Sequence, residues 1–279
     1  MTDHCTLTVL CENSVAGPFG LIGEHGWAIH CQVYGRSILF DTGQGQGIIA
    51  NASLLDIDLH NLDAVVLSHG HYDHTSGLPD VLRRSGAIDV FCHPGCFVDR
   101  YWIKDGQSRE IGIRFKRSYL ESLGARFRFA SEFTEIFEGV YLTGEVPRKT
   151  DFEPADPNMK IVGEDGVLVQ DNLPDDQTMV IDTENGLVVV LGCAHAGLIN
   201  ILTHIADQLP DRPIHTVVGG THLGFAGQEQ FDRTVDALAR FGVQRLGAGH
   251  CTGLANSARL SARLGEIYFF SAVGTSIPC

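Results

Sequence analysis

Within six residues the chain carries His69-Gly70-His71-Tyr72-Asp73-His74, three imidazoles and a carboxylate on one short segment. Imidazole nitrogens and carboxylate oxygens are borderline ligands suited to Zn2+, Fe2+ or Mn2+. The spacing divides them. His69 and His71 can converge on one ion, while Asp73 and His74, reaching the other way, can hold a second about 3.5–4 Å from the first. Two such cations lower the pKa of a shared water, the chemistry of attack on a phosphoryl or acyl centre. The bland alternative is a solvated polar loop. Asp73 is counted both as a ligand and as a catalytic group. His222 follows a strand-like run and the pair Gly219-Gly220, and it is a candidate either for contact with substrate as a proton donor or for support of the ligands from behind. His93, beside Pro94, reads as structural. The other histidines, His4, His25 and His30 among them, have no partner pattern and read as surface or satisfied core residues. The glycine string from Gly43 to Gly47 is not a dinucleotide fingerprint, because the third glycine of that pattern would fall at Ile48.

The elements that must position these residues are legible around them. Leu62 to Ser68 is a continuous apolar run of strand length that suits a strand buried on both faces, and the histidine segment begins where it ends. Before it, Thr6 to Cys11, Trp27 to Tyr34 and Ser37 to Phe40 read as strands separated by glycine turns. After it, a helix over Leu78 to Ser85 and a strand over Ile88 to Cys92 complete a strand-helix-strand unit. The stretch from about Gly95 to Glu164 reads as an irregular insertion or lid within a single domain spanning residues 1–279. Regular alternation resumes with a hairpin, Thr178 to Asp182 and Leu187 to Leu191, marked by Asn185-Gly186. Helices over Leu198 to Gln208, Gln228 to Phe241 and Ser257 to Leu264 alternate with strands over Ile214 to Val218 and Val243 to Leu246.

At 279 residues and 44% hydrophobic content the chain can bury a large core. Its apolar runs are far shorter than the roughly 20 residues of a membrane span, and its first residues lack a basic leader, so no membrane association and a cytoplasmic location are expected. The eight cysteines contain no CxxC pair and read as small buried hydrophobes. A net charge of −14 argues against nucleic acid as a partner. One segment departs from that balance: Arg100 to Arg128 holds eight basic residues against three acidic ones, a local net of +5. It is either one wall of a cleft for a small anionic substrate or a solvated face.

The segment His69-Gly70-His71-Tyr72-Asp73-His74 after a buried strand resembles the HxHxDH signature of the metallo-β-lactamase superfamily. Asp41-Thr42-Gly43 is similar to that family's DTG turn, whose aspartate supports the metal loop without binding metal. Gly249-His250-Cys251 is similar to the late glycine-histidine that returns a ligand to the first metal. The resemblance spans nearly the whole chain and implies an α/β fold, a four-layer αββα sandwich of two mixed β-sheets flanked by helices, with two divalent transition metals, Zn2+ foremost and Fe2+ or Mn2+ possible. The strings around Asp41, His69, Cys193, Thr221 and His250 resemble the branch of dihydropterin-ribofuranosyl-aminobenzene phosphate synthases. Most superfamily members place a histidine before the later hairpin and a metal-bridging aspartate after it. By position Asp176 would stand for the histidine and Cys193 for the aspartate, while His195 is the better ligand chemically. The implied metal set is therefore His69, His71, Asp73, His74, His195 and His250, with Cys193 or Asp176 joining or replacing His195.

The function expected is that of a binuclear metal-dependent hydrolase or transferase acting on a small anionic, phosphorylated substrate through a metal-bound hydroxide or a metal-stabilised leaving group. A thioesterase-like regulatory metal protein and a di-iron redox protein are the alternatives, the second lacking the flavodoxin domain such chemistry requires.

Overall fold

In the computed structural model the described residues are 5–17, 20–163 and 165–279. The N-terminal residues, His4 included, and Glu164 at the expected end of the insertion lie outside them. Two seven-stranded mixed sheets face each other. The first runs, in spatial order, Ser276–Pro278, Thr6–Cys11, Ala28–Val33, Arg36–Phe40, Ala64–Val66, Ile88–Cys92 and Ala125–Phe129. The second runs Tyr268–Phe270, Arg245–Gly249, Ile214–Gly220, Gly186–Val190, Met179–Thr183, Val140–Leu142 and Thr134–Phe137.

Alternation along each strand explains why the central strands read as unbroken apolar runs. Ile38, Phe40 and Val66 of the first sheet point into one core with Val188, Val190 and Val218 of the second. Their neighbours Leu39, Val65 and Leu67 point the other way, onto the helices Ile48–Leu54, Leu78–Ser85 and Arg117–Ser122. Leu187, Val189 and Leu191 likewise face the helices Leu198–Gln208, Gln228–Phe241 and Leu254–Leu264. Successive side chains alternate between faces, and both faces are covered, so every position in these strands must be apolar. The result is the expected αββα sandwich. Among the described residues, no helix is long and apolar enough to cross a membrane.

The expected insertion is not irregular. Arg100–Lys104 and Gln107–Glu110 form a hairpin that joins Met159–Val162 and Leu168–Gln170 in a separate four-stranded antiparallel sheet, so the unit reaches past 164 to Gln170. The residues between return to the sandwich through Ala125–Phe129, Thr134–Phe137 and Val140–Leu142. All four residues of Gln107–Glu110 are exposed, and a strand without a buried face carries no apolar alternation to read.

The main parallel strands deliver the candidate chemistry at their carboxyl ends, as open α/β sheets commonly do. Ala64–Val66 leads to His69, Gly186–Val190 to Cys193 and His195, Ile214–Gly220 to His222, and Arg245–Gly249 to His250.

Candidate metal centre

The loop after Ala64–Val66 is held from two sides. Asp41, at φ +59°, accepts hydrogen bonds from Ser68 N at 2.8 Å and Ser68 Oγ at 2.7 Å, and its Oδ2 lies 2.7 Å from His74 Nδ1. Aspartate adopts the left-handed region more readily than most residues, and here the long-range bonds to Ser68 and His74 hold it there. Gly70 N donates to Asp175 Oδ2 at 2.8 Å, and a Cβ on Gly70 would lie 2.0 Å from the Cys96 carbonyl oxygen, so only glycine fits. Asp175 is in turn paired with the buried guanidinium of Arg100, which also meets Asp171.

Among the described residues four overlapping sets of ligand atoms result. His69, His71 and His195 form one; His69, His74 and Cys193 a second; Cys193, His250 and Cys251 a third; His25, Asp73 and His250 a fourth. His69 Nε2 lies 2.9 Å from His71 Nδ1, and His74 Nε2 lies 3.1 Å from Cys193 Sγ and 3.3 Å from His250 Nε2. His250 Nε2 is 3.4 Å from Asp73 Oδ2. All six residues of the implied metal set thus meet in one place, with Cys193 between them. His250 is beside Asp73 and His74, however, and not with the His69 and His71 pair to which the expectation assigned it. Its position is set by backbone: His250 sits at φ +52°, and its N–H donates to Glu12 Oε1 at 2.6 Å. Asp176 is not in any of the four sets; its Oδ2 accepts from Ala196 N at 2.9 Å and braces the loop that carries His195.

Burial sets the charge of these groups. It pushes His71 down to about 3 and His195 well below the ordinary histidine range, the latter aided by neighbouring imidazoles. Burial works against charge on His74 as well, but the carboxylates of Asp41 and Asp73 outweigh it and raise this ring to about 9. Asp73 is held well below the usual carboxylate range: its own burial opposes this, but His74, His25 and His250 prevail. His71 Nε2 and His195 Nε2 are buried with no hydrogen-bond partner among the described residues. A buried unpaired polar atom costs on the order of 1–3 kcal/mol, and a cation taking the His195 Nε2 lone pair removes that cost there. The donor set therefore fits divalent transition metals.

Two further residues stand at the site. His25 has no partner pattern in the sequence and is largely exposed, yet it puts Nε2 3.1 Å from Asp73 Oδ2. Cys251 places its sulfur with Cys193 and His250, and its position next to His250 in the chain is the signal for it. The glycine string also has its answer. Backbone N–H groups of Gln44, Gly45, Gln46 and Gly47 all donate to the Glu24 carboxylate, so the nest holds an internal anion.

The cluster opens into a cleft of about 510 Å³ whose walls include Tyr72, Trp102, Arg109, Met159, His222 and Phe225. His222, at φ +54°, stands with its ring 4.4 Å from that of His195, and burial pushes it down to about 4. The basic segment is dispersed. Arg100 is an internal ion-pair residue, Arg117 pairs with Glu121, and Arg126 and Arg128 both pair with Asp89. Arg109 reaches the cleft, and Arg114 stacks 4.4 Å over the ring of the cleft residue Tyr72.

The sequence matches the Metallo-beta-lactamase superfamily over residues 32–250, most of the chain, and the protein belongs to that superfamily. It is 29% identical over 261 residues to the 7,8-dihydropterin-6-methyl-4-(β-D-ribofuranosyl)-aminobenzene-5′-phosphate synthase of Methanocaldococcus jannaschii, covering 90% of this chain and 88% of that one. Its fold superposes, with a TM-score of 0.85 and 28% identity over 98% of both chains, on the crystal structure of a metal-dependent hydrolase of the β-lactamase superfamily. A diphosphatase from the PhnP family shares the fold at a TM-score of 0.57 and 14% identity, covering 99% of this chain and 97% of that one.

Proposed function

We propose that the protein is a binuclear metal-dependent enzyme, a hydrolase or transferase, acting on a small substrate that joins an aromatic part to a phosphate. The observation that carries this is the buried, unpartnered His195 Nε2 in one ligand group with His69 and His71, beside a second cluster in which His250 Nε2 lies 3.3 Å from His74 Nε2 and 3.4 Å from Asp73 Oδ2. His69, His71 and His195 would hold one cation, and Asp73, His74 and His250 the other. When bound, Zn2+ or Fe2+ would supply Lewis acidity at the reacting centre.

The chain's own residues supply the rest. Trp102, Met159 and Phe225 offer apolar walls that would exclude water and stack on a flat ring, and Arg109 offers a guanidinium fork to a phosphate. His222 lines the same cleft, where a ring N–H can be donated to a substrate oxygen or leaving group. The name of the archaeal relative describes a product with a dihydropterin, an aminobenzene and a ribose phosphate, which is the substrate chemistry this cleft would suit.

Reconstituted protein should be assayed with aromatic ribose phosphates, with and without a dihydropterin donor that carries a diphosphate leaving group, beside their dephosphorylated analogues. The reading expects turnover of phosphorylated compounds that disappears in His71→Ala. Equal handling of both series would remove the phosphate from the proposal.

A further inference from the structure

We infer that Cys193 gives a thiolate shared by both cation positions, where the superfamily pattern has a carboxylate. This rests on the binuclear reading above. The four ligand groups overlap in a row from His71 and His195 at one end to Asp73 and His25 at the other. Cys193 belongs to the two middle groups, with His69 and His74 in one and His250 and Cys251 in the other, so it joins a ligand of the first cation, His69, to ligands of the second, His74 and His250. Its sulfur is 3.1 Å from His74 Nε2.

Its placement is dictated by backbone. Gly220 N donates to the Gly192 carbonyl at 2.9 Å, and a Cβ on Gly192 would lie 2.2 Å from Ser68 Oγ, so the loop from the second sheet is pressed onto the loop that carries His69. On the far side, Ala194 turns at φ +58°, Ala196 N is held by Asp176, and the His195 carbonyl accepts from Arg148 Nη2 at 2.6 Å. These contacts aim Cys193 inward and leave Asp176, the alternative carboxylate, directed at backbone. Cys251 is occupied differently: its sulfur accepts from His222 N at 3.3 Å and faces the Cys193 carbonyl at 3.4 Å.

On binding, the Cys193 S–H bond breaks, the proton leaves to solvent, and the sulfur donates its electron pairs to the cations. Thiolate is softer than carboxylate, which favours Zn2+, Fe2+ or Co2+ over Mn2+ and Mg2+ at this centre.

Cobalt tests this apart from catalysis. The full chain, stripped of metal and reloaded with Co2+, should bind two ions by elemental analysis and show a sulfur-to-cobalt charge-transfer absorption in the near ultraviolet. Cys193→Ser should lose the band, Cys251→Ser should keep it, and Cys193→Asp should keep two cobalt ions without it. Two cobalt ions in the natural sequence with no band would overturn the thiolate while leaving the binuclear reading intact. A band that survives Cys193→Ser and vanishes in Cys251→Ser would assign it to the wrong cysteine and also overturn the inference. Fewer than one cobalt per chain would overturn the binuclear reading and the thiolate together.

Discussion

Asp41 Oδ2 lies 2.7 Å from His74 Nδ1, with neither side chain exposed to solvent. The contact fixes the plane of the ring and turns Nε2 toward Cys193 and His250. Carboxylate support behind a ligating imidazole is typically worth about 10–100-fold in metal affinity. Asp41→Asn keeps the shape and tolerates the left-handed backbone but lacks the charge, so it should weaken metal binding by about that factor, as read by competition with a chelator. Unchanged affinity would mean that Asp41 only holds Ser68.

The triad of Arg100, Asp171 and Asp175 anchors the same loop from the other side. Breaking a buried ion pair by removing one partner typically costs about 3–5 kcal/mol, because the remaining charge is stranded. Arg100→Ala leaves two carboxylates and should lower unfolding stability by that amount in a denaturant titration. A loss below about 1 kcal/mol would show that water enters to solvate them.

Much of this architecture is legible in the sequence, for identifiable reasons. Strands such as Gly186–Val190 serve two cores at once, so every residue is apolar, and the ligand loop is local, so its histidines sit side by side in the chain. The convergence of Cys193, His195 and His250 on that loop depends on how two sheets face each other, which spacing along a chain does not encode. His25 is a lone histidine in an exposed stretch and gives no pattern at all. The basic segment stays undecided in the sequence because a charge count ignores direction: Arg126 and Arg128, two apart on a strand, share a face with Asp89, while Arg100 turns inward.

That dispersal gives a sharper test of substrate charge. Arg109→Ala should raise KM for a phosphorylated substrate, and the difference from the natural sequence should shrink as salt screens it. Arg117→Ala, whose guanidinium pairs with Glu121 and lies over Phe129, should leave KM where it was. Equal effects from the two changes would take the anion site away from Arg109.

His30 supplies a pH dependence remote from the metal cluster. Burial lowers it from an ordinary 6.5 to about 4, and its Nε2 lies 2.8 Å from Ser37 Oγ. The folded protein holds the ring neutral, whereas the unfolded chain takes up a proton near pH 6.5. Its contribution is complete above pH 6.5 and is lost as pH falls from there to about 4, with a slope of at most about 1.4 kcal/mol per unit. His30→Gln should flatten the acid limb of stability against pH relative to the natural sequence; an identical limb would assign no such role to His30.

In the proposed centre His69, His71 and His195 would hold one cation while Asp73, His74 and His250 would hold another. Elemental analysis of protein purified without chelator and reconstituted with Zn2+ measures this directly. Two ions per chain are predicted for the natural sequence, falling to about one in Asp73→Ala with the fold retained by circular dichroism. Less than one ion per chain in the natural protein, or no change in Asp73→Ala, would contradict it.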